Sequence, residues 1–255
     1  MKNRYKIILS YDGTLYAGWQ VQKNAQCIQP IVQNALETIC RHPIDLTGAG
    51  RTDAGVHALG QTAHYSIDNT IPLPRLHKSV NALLPADIQV RSIEEVSDDF
   101  HARYSAKGKI YHYHLHLDKY PDPFKRRYAA HVSYPVDLAL LQKACTYFEG
   151  THDFTSFAHR AQQGSAAQDA VRTIYRLNLV EEPGGIRLEF EGNGFLYKMV
   201  RNIVGTLLDI AAGKISLEEI PEIIAAKDRS KAGKTAPPQG LFLVHVDYTN
   251  SSKEV

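Results

Sequence analysis

The stretch TGAGRTDAGVHALG, residues 47–60, sets two charged side chains among glycines and is the first candidate for chemistry. Arg51 and Asp53 lie two residues apart in it, and an ionised carboxylate close to a substrate can act as a nucleophile. The glycines permit tight turns and the close approach of another backbone. The spacing matches neither a P-loop nor a dinucleotide fingerprint, so ATP and NAD are not expected ligands. From composition alone, the favoured interpretation is that Asp53 is a turn residue ahead of a strand.

A second candidate is Arg201, within the apolar stretch GFLYKMVRNIVGTLLDIAAG at 194–213. Helical spacing places Arg201 at the edge of an apolar stripe, on the flank that carries Lys198 and Gly205. The common outcome for such an arginine is to extend into solvent. It could instead pair with a buried carboxylate and keep that carboxylate ionised. Gly205, one turn later, would let a neighbouring segment come close to the helix. Composition leaves both alternatives open.

The segment KIYHYHLHL at 109–117 alternates as a strand and carries histidines on one face, His112, His114 and His116. Three such positions extend over roughly 13 Å, so they cannot all bind one ion. A rival function is a metal-dependent hydrolase that uses His112, His114 and His57. The favoured interpretation is a polar or RNA-facing surface, and no metal site is predicted. On the opposite face, Tyr111 either packs in the core or offers a platform for a flipped base.

Strand-like and helix-like segments alternate along the chain and predict an α+β fold. Strands are predicted at 6–13, 60–67, 88–96, 109–117 and 241–248, with a hairpin at 174–192. Helices are predicted from 28 to 39, 75 to 84, 138 to 148 and 195 to 212, with another capped by Ser216. This pattern predicts two similar halves with mainly antiparallel sheets. The halves are placed at 1–105, with the Asp53 loop, and 106–255, with Tyr111 and Arg201.

Length and charge narrow the class of protein. The chain has 255 residues, enough for a substantial core, and a net charge of +2, which by itself does not indicate nucleic-acid binding. No apolar run approaches the roughly 20 residues that span a bilayer, and the first residues lack a signal-peptide core, so a cytoplasmic protein is expected. Three cysteines are too few for a disulfide framework.

Several segments, taken in order, resemble the tRNA pseudouridine synthase A family. The most specific is GAGRTDAGVHALGQTAH at 48–64, and YDGTLYAGWQVQ at 11–22 and FLYKMVRNIVG at 195–205 add independent weight. The resemblance continues through NALLPADIQV at 81–90, FHARYSAKGKIYHYHL at 100–115, GTHDFTSFA at 150–158 and APPQGLFLVHVDY at 236–248. It therefore covers nearly the whole chain.

The resemblance implies a role for each candidate residue. Asp53 matches the catalytic aspartate, and Arg51 matches the arginine that helps turn the target nucleotide out of the stem. Tyr111 matches the tyrosine that stacks on the uracil, and Arg201 the arginine paired with the aspartate. The family folds as two α/β halves around a central, mainly antiparallel sheet, with the active site in the cleft between the halves.

The reaction that the resemblance implies is isomerisation of uridine to pseudouridine at positions 38, 39 and 40 of the tRNA anticodon stem-loop. The family works without metal or organic cofactor and as a homodimer. A carboxylate could attack the base at C6 or the sugar at C1′, and the sequence does not decide between them. We further hypothesise that Arg126, Arg127 and Lys234 hold phosphates. The alternative function is a non-catalytic tRNA-binding or folding module, which would not need Asp53.

Overall fold

The computed structural model describes residues 3–68, 71–159 and 169–249, and the chain divides into two compact units. The first unit comprises the chain up to Lys107 together with the chain from Phe242 onward. The second unit runs from Gly108 to Leu241. Each unit combines a mainly antiparallel sheet with α-helices, so the predicted α+β class is confirmed.

The described residues form strands and helices in the following order. The strands are β1 (Asn3–Tyr11), β2 (Thr47–Gly48), β3 (His57–Ile67), β4 (Ile88–Val96), β5 (Gly108–His116), β6 (Ala130–His131), β7 (Gly150–Asp153), β8 (Val171–Glu182), β9 (Gly185–Gly192) and β10 (Leu241–Asp247). The α-helices are α1 (Ile28–Cys40), α2 (Leu73–Leu83), α3 (Leu138–Thr146), α4 (Met199–Ala211) and α5 (Glu219–Ala226).

In the first unit the strand order is β4-β1-β3-β10, with β2 beside β3. Strand β1 pairs with β3 on one side and β4 on the other. Every second side chain of β1 is apolar and buried, namely Tyr5, Ile7, Leu9 and Tyr11. Helix α1 begins at Ile28 as predicted and buries one apolar face. Helix α2 packs against α1 and β4. The core of this unit lies between the helices and one face of its sheet.

The last strand differs from the predicted division of the chain. Strand β10 pairs in parallel with β3, with Phe242 opposite His57 and Leu243 opposite Ala58. The chain from Phe242 onward therefore belongs to the first unit, whereas the predicted halves assigned it to residues 106–255. This assignment depends on the pairing of two strands that are far apart in the sequence. The order of elements along the chain does not predict such a pairing.

In the second unit the strand order is β5-β9-β8-β7, with β6 beside β5. The hairpin predicted at 174–192 is formed by β8 and β9, and Gly184 in its turn has a φ of 71°, in the left-handed region that glycine adopts readily. Helix α3 packs against α4 and β8. The core contains side chains from the sheet and from α4, among them Tyr113, Leu188, Phe190, Ile203 and Leu207.

Two helix boundaries in the second unit differ from the prediction. Helix α4 begins at Met199, because Lys198 has a φ of 63° and interrupts the helical path, so residues 195–198 are not part of it. Gly213, with a φ of 69°, follows its end as predicted. The Ser216 N–H donates to Glu219 Oε2 at 2.7 Å, which is half of the predicted capping box. Helix α5 itself begins at Glu219.

No helix in the described parts of the chain is both long enough and apolar enough to cross a membrane.

His64 on β3 makes the stability of the first unit depend on pH. Its side chain is buried, and Nδ1 accepts a hydrogen bond from the Ala102 N–H at 3.2 Å. Burial, reinforced by the positive charges of His101 and Arg4, lowers the pKa of His64 from its usual 6.5 to about 4. Between these two values the unfolded chain binds a proton that the folded chain excludes. The free energy of unfolding therefore falls as the pH falls through this window.

We expect the free energy of unfolding to fall by about 2 kcal/mol between pH 7.5 and pH 5 because of His64. Urea unfolding at both pH values measures this loss, and His64→Gln should reduce the difference between them by that amount. The exposed His42 provides the control, because His42→Gln should leave the pH dependence as it is. Equal pH dependence in the wild-type protein and His64→Gln would contradict the prediction.

Candidate active site

The segment Arg51-Thr52-Asp53 in the first unit alternates in burial. Thr52 is only 7% exposed, whereas Arg51 is exposed and Asp53 is half-buried. In an extended chain, successive side chains point to opposite sides. The pattern therefore directs Thr52 into the core and both charged side chains to the accessible side. The sequence placed Arg51 and Asp53 two residues apart, and the fold puts them on one side of the loop.

Asp53 also occupies a turn, as composition alone favoured. Its carbonyl oxygen accepts a hydrogen bond from the Val56 N–H at 3.1 Å, and Gly55 has a φ of 76°. A positive φ at the third position of a four-residue turn is the pattern of a type II turn, for which glycine is suited. The turn and the catalytic interpretation are compatible, because the turn uses the backbone of Asp53 and leaves its carboxylate outside the core.

The chain at residues 16–19 holds this loop from the other side. The Trp19 N–H donates to the Thr52 carbonyl at 3.2 Å, and the Gly55 N–H donates to the Tyr16 carbonyl at 3.2 Å. Gly18 has a φ of 98°, and a Cβ at this position would overlap the Thr52 carbonyl oxygen. Sequence reasoning assigned no role to these residues. The available signal was the segment YDGTLYAGWQVQ, which carried part of the resemblance.

Tyr111 lies on β5 in the second unit. Its side chain is 8% exposed, and its ring meets the edge of Phe195 with centroids 5.2 Å apart and planes at 79°. Phe195 lies in the non-helical chain before α4. An edge-to-face aromatic pair fixes the orientation of the tyrosine ring. Tyr111 is therefore held in one position by packing.

Arg201 lies on α4 and is hydrogen-bonded to the segment that precedes β10. Its Nε donates to the Ala236 carbonyl at 2.8 Å, and the Ala236 N–H donates to the Arg201 carbonyl at 3.0 Å. Gly205, one turn later, does admit a close neighbour, which is the carbonyl of Lys234. Arg201 is thus half-buried and oriented by backbone contacts, in contrast with the solvent-extended alternative.

The same short segment also holds β5. The Tyr113 hydroxyl donates to the Pro237 carbonyl at 2.7 Å, next to the carbonyl that binds Arg201. Burial raises the pKa of Tyr113, and the positive charge of Arg201 partly opposes this rise. Residues 236–237 therefore link the tyrosine strand to the arginine helix. In the second unit, residues 236–237 bind both Arg201 and β5, the strand that carries Tyr111. In the first unit, one loop carries both Arg51 and Asp53. The pairing of Arg201 with Asp53 stays a prediction.

Two histidines of β5, His112 and His114, face carboxylates of β9 and β8. His112 Nε2 lies 3.6 Å from Glu189 Oε1, and His114 Nδ1 lies 2.9 Å from Glu182 Oε2. Arg187 pairs with both glutamates. Burial lowers the pKa of His112. His112 and His114 therefore lie against a cluster of charged side chains on β8 and β9, formed by Glu182, Arg187 and Glu189.

His57, the third histidine of the rival metal site, makes other contacts. His57 is buried in the first unit, where Nδ1 accepts a hydrogen bond from the Gly13 N–H at 3.0 Å and the ring stacks on Phe242. Across residues 3–68, 71–159 and 169–249, no three or more His, Cys, Asp or Glu side chains are grouped so that they could hold a metal ion.

Comparison with known proteins identifies the family. A family model described as tRNA pseudouridine synthase matches residues 7–105 and 144–249. The chain belongs to the tRNA pseudouridine synthase family. Arg51, Asp53 and Arg201 fall within the matched residues, whereas Tyr111 falls between the two matched ranges.

Individual relatives match across nearly the whole chain. The tRNA pseudouridine synthase A 1 of Protochlamydia amoebophila is 54% identical over 249 residues, which cover 97% of this chain and 97% of the relative. The tRNA pseudouridine synthase A of Acetivibrio thermocellus is 46% identical, with coverage of 95% and 98%. That of Bacillus licheniformis is 45% identical, with coverage of 97% and 100%. The predicted family resemblance is thus confirmed.

The close approach at Gly205 predicts a local loss of stability when a methyl group is added. Gly205→Ala would force the Lys234 carbonyl away from α4, because a Cβ would overlap its oxygen and carbon atoms. We expect the free energy of unfolding to fall by about 1–3 kcal/mol. Gly194→Ala is the matched control, since its Cβ would meet only the Arg172 side chain at 3.7 and 3.8 Å. Urea unfolding measures both, and equal losses would rule out this explanation.

Proposed function

We propose that the protein isomerises uridine to pseudouridine at positions 38, 39 and 40 of the tRNA anticodon stem-loop, with Asp53 as the nucleophile. Membership of the family supports the reaction class, a pseudouridine-forming isomerisation of tRNA. The observation that carries the choice of Asp53 is its presentation beside Arg51 on a loop whose middle residue, Thr52, is anchored in the core. In this proposal the enzyme acts in the cytoplasm as a homodimer, as the resemblance to the family implies.

The reaction breaks the bond between C1′ and N1 and forms a bond between C1′ and C5. The hydrogen on C5 is lost as a proton, and N1 regains one, so uridine and pseudouridine are isomers. No oxidant, reductant or phosphate donor enters the balance. An ionised carboxylate can assist by attacking C6 of the base or C1′ of the sugar, and both routes require it to be close to the extruded nucleotide.

Each of the other candidate residues serves one requirement of this chemistry. A base inside a stem must be flipped out at a cost of a few kcal/mol, and the exposed Arg51 is proposed to fill the space it leaves. Tyr111, held edge-on by Phe195, offers a fixed ring for the uracil to stack on. Arg201 is proposed to keep the Asp53 carboxylate ionised.

The basic residues proposed to hold tRNA phosphates differ in their surroundings. Arg126, Arg127 and Lys234 are exposed, whereas the neighbouring Lys125 donates through Nζ to the Pro183 carbonyl at 2.5 Å and so anchors its own loop. The same loop exposes Phe124, at 89%. Cationic side chains next to an exposed aromatic ring suit contact with phosphates and unstacked bases.

Replacing the proposed nucleophile by its amide provides the direct test. Asp53→Asn keeps the size of the side chain but removes its charge, so we expect pseudouridine formation to fall by at least about a thousandfold. The affinity for tRNA should change by less than about threefold. Unmodified tRNA transcripts are incubated with each protein, and pseudouridine is mapped by chemical labelling and primer extension. Asp99→Asn, at an exposed position of the same unit, should retain full activity.

The same map also locates the modified positions. Pseudouridine confined to the 3′ side of the anticodon stem-loop supports the proposed target, and modification elsewhere would contradict it. Full activity of purified Asp53→Asn would show that another group is the nucleophile. Wild-type binding without any product would favour the non-catalytic module.

A second test concerns the phosphate contacts. The double variant Arg126→Gln with Lys234→Gln should weaken tRNA binding and lower the slope of log Kd against log salt by about two. Removal of two charges from exposed positions on α2, Arg75→Gln with Lys78→Gln, is the matched control and should leave that slope as it is. Fluorescence anisotropy over a range of salt concentrations measures both. Equal slopes in the two double variants would refute the assignment of Arg126 and Lys234.

A further inference from the structure

We propose that Tyr11 and Thr52 are positioning residues for the reaction, because the hydrogen bond between their hydroxyl groups fixes the loop that presents Arg51 and Asp53. The inference rests on the proposed function, in which Asp53 is the nucleophile. Neither hydroxyl is assigned contact with the substrate. Their role is to hold the backbone of the loop in one conformation.

The bond joins two buried side chains that are far apart in the sequence. Tyr11 Oη and Thr52 Oγ1 lie 2.8 Å apart, and the residues are 4% and 7% exposed. Tyr11 is the last residue of β1, where the pairing with β3 shifts register after Leu9. The extra residue of this irregularity lies on β3, so Tyr11 stays on the buried side of β1 that Leu9 also occupies. The Tyr11 hydroxyl reaches Thr52 from that side.

The position of Thr52 explains why this bond affects the charged residues. Thr52 separates Arg51 from Asp53 and is buried, whereas Arg51 is exposed and Asp53 is half-buried. A hydrogen bond that keeps Thr52 in the core therefore keeps both neighbours on the accessible side. Rotation of this peptide segment would carry all three side chains together. Shifts of about 1 Å in a reacting group can cost about a hundredfold in rate.

The backbone on either side of Arg51 is tied to other buried groups. Gln61 Nε2 donates to the Gly50 carbonyl at 2.9 Å, and the Trp19 N–H donates to the Thr52 carbonyl. Trp19 and Tyr11 stack with centroids 6.3 Å apart. These contacts hold the backbone, and the Tyr11 hydroxyl is the group that holds the Thr52 side chain.

The Tyr11 hydroxyl serves as a hydrogen-bonding group and not as an acid or base. Burial raises its pKa well above the usual value for tyrosine, although the hydrogen bond to Thr52 partly opposes this rise. The raised pKa favours the protonated hydroxyl, which is the form that shares a hydrogen bond with Thr52.

The test uses variants that each lack one hydroxyl group and compares their activity with that of a matched control. Tyr11→Phe and Thr52→Val each delete one partner, and we expect kcat to fall about 10–100-fold while KM for tRNA changes by less than about twofold. Thr52→Ser keeps the hydroxyl and should restore kcat to within about threefold of the wild-type value. Thermal unfolding is measured for every variant, so that kcat is reported per folded molecule.

Tyr65→Phe is the control for the tyrosine substitution. Tyr65 lies on the adjacent strand β3 and is fully buried, but its hydroxyl makes no hydrogen bond within the part of the chain that the structure describes. This variant removes the same atom from the same core, so a general effect of the substitution would appear in both proteins. We expect its kcat to stay within about twofold of the wild-type value.

The outcomes separate the inference from the function on which it rests. Unchanged kcat in Tyr11→Phe and Thr52→Val, together with an inactive Asp53→Asn, would overturn the positioning role and leave the nucleophile in place. Equal losses in Thr52→Ser and Thr52→Val would also overturn it, because the hydroxyl would then be irrelevant. An active Asp53→Asn would instead refute the proposed function itself.

Discussion

The burial of Thr52 between two charged residues is the constraint on which the candidate site depends. Burying a hydroxyl costs free energy unless it is hydrogen-bonded, and Tyr11 supplies that bond at 2.8 Å. Because side chains alternate along an extended chain, a satisfied Thr52 in the core leaves Arg51 and Asp53 outside it. A small neutral residue thus determines where two charged residues lie.

In the second unit, backbone carbonyl groups orient the candidate residues. One short segment accepts hydrogen bonds from α4 and β5 through neighbouring carbonyls, those of Ala236 and Pro237. Gly205 lets this segment lie directly against α4, because any side chain there would overlap the Lys234 carbonyl. The arginine and the tyrosine strand are therefore oriented by backbone groups, which have few alternative conformations. Rigid support of this kind is what a preorganised site requires.

Residues that attract attention by type alone can have ordinary roles. His112 and His114 were candidates for a metal site, yet His112 faces Glu189 on β9 and His114 faces Glu182 on β8. Lys125 belongs to a basic run, yet its ammonium group is bound to a carbonyl of the β8–β9 turn. Type and spacing identify which side chains could do chemistry. Only their partners in the fold decide which of them are available for it.

The sequence by itself determined the family, the α+β class and elements governed by local periodicity, such as α1 from Ile28 and β4 at Ile88–Val96. Local periodicity follows from backbone geometry, so it can be read from neighbouring residues. The tertiary structure alone decided that β10 pairs with β3 and that Tyr11 supports Thr52, 41 residues away. It also decided that α4 begins at Met199, because Lys198 leaves the helical path with a φ of 63°. Such contacts depend on how distant segments pack, and no local pattern encodes them.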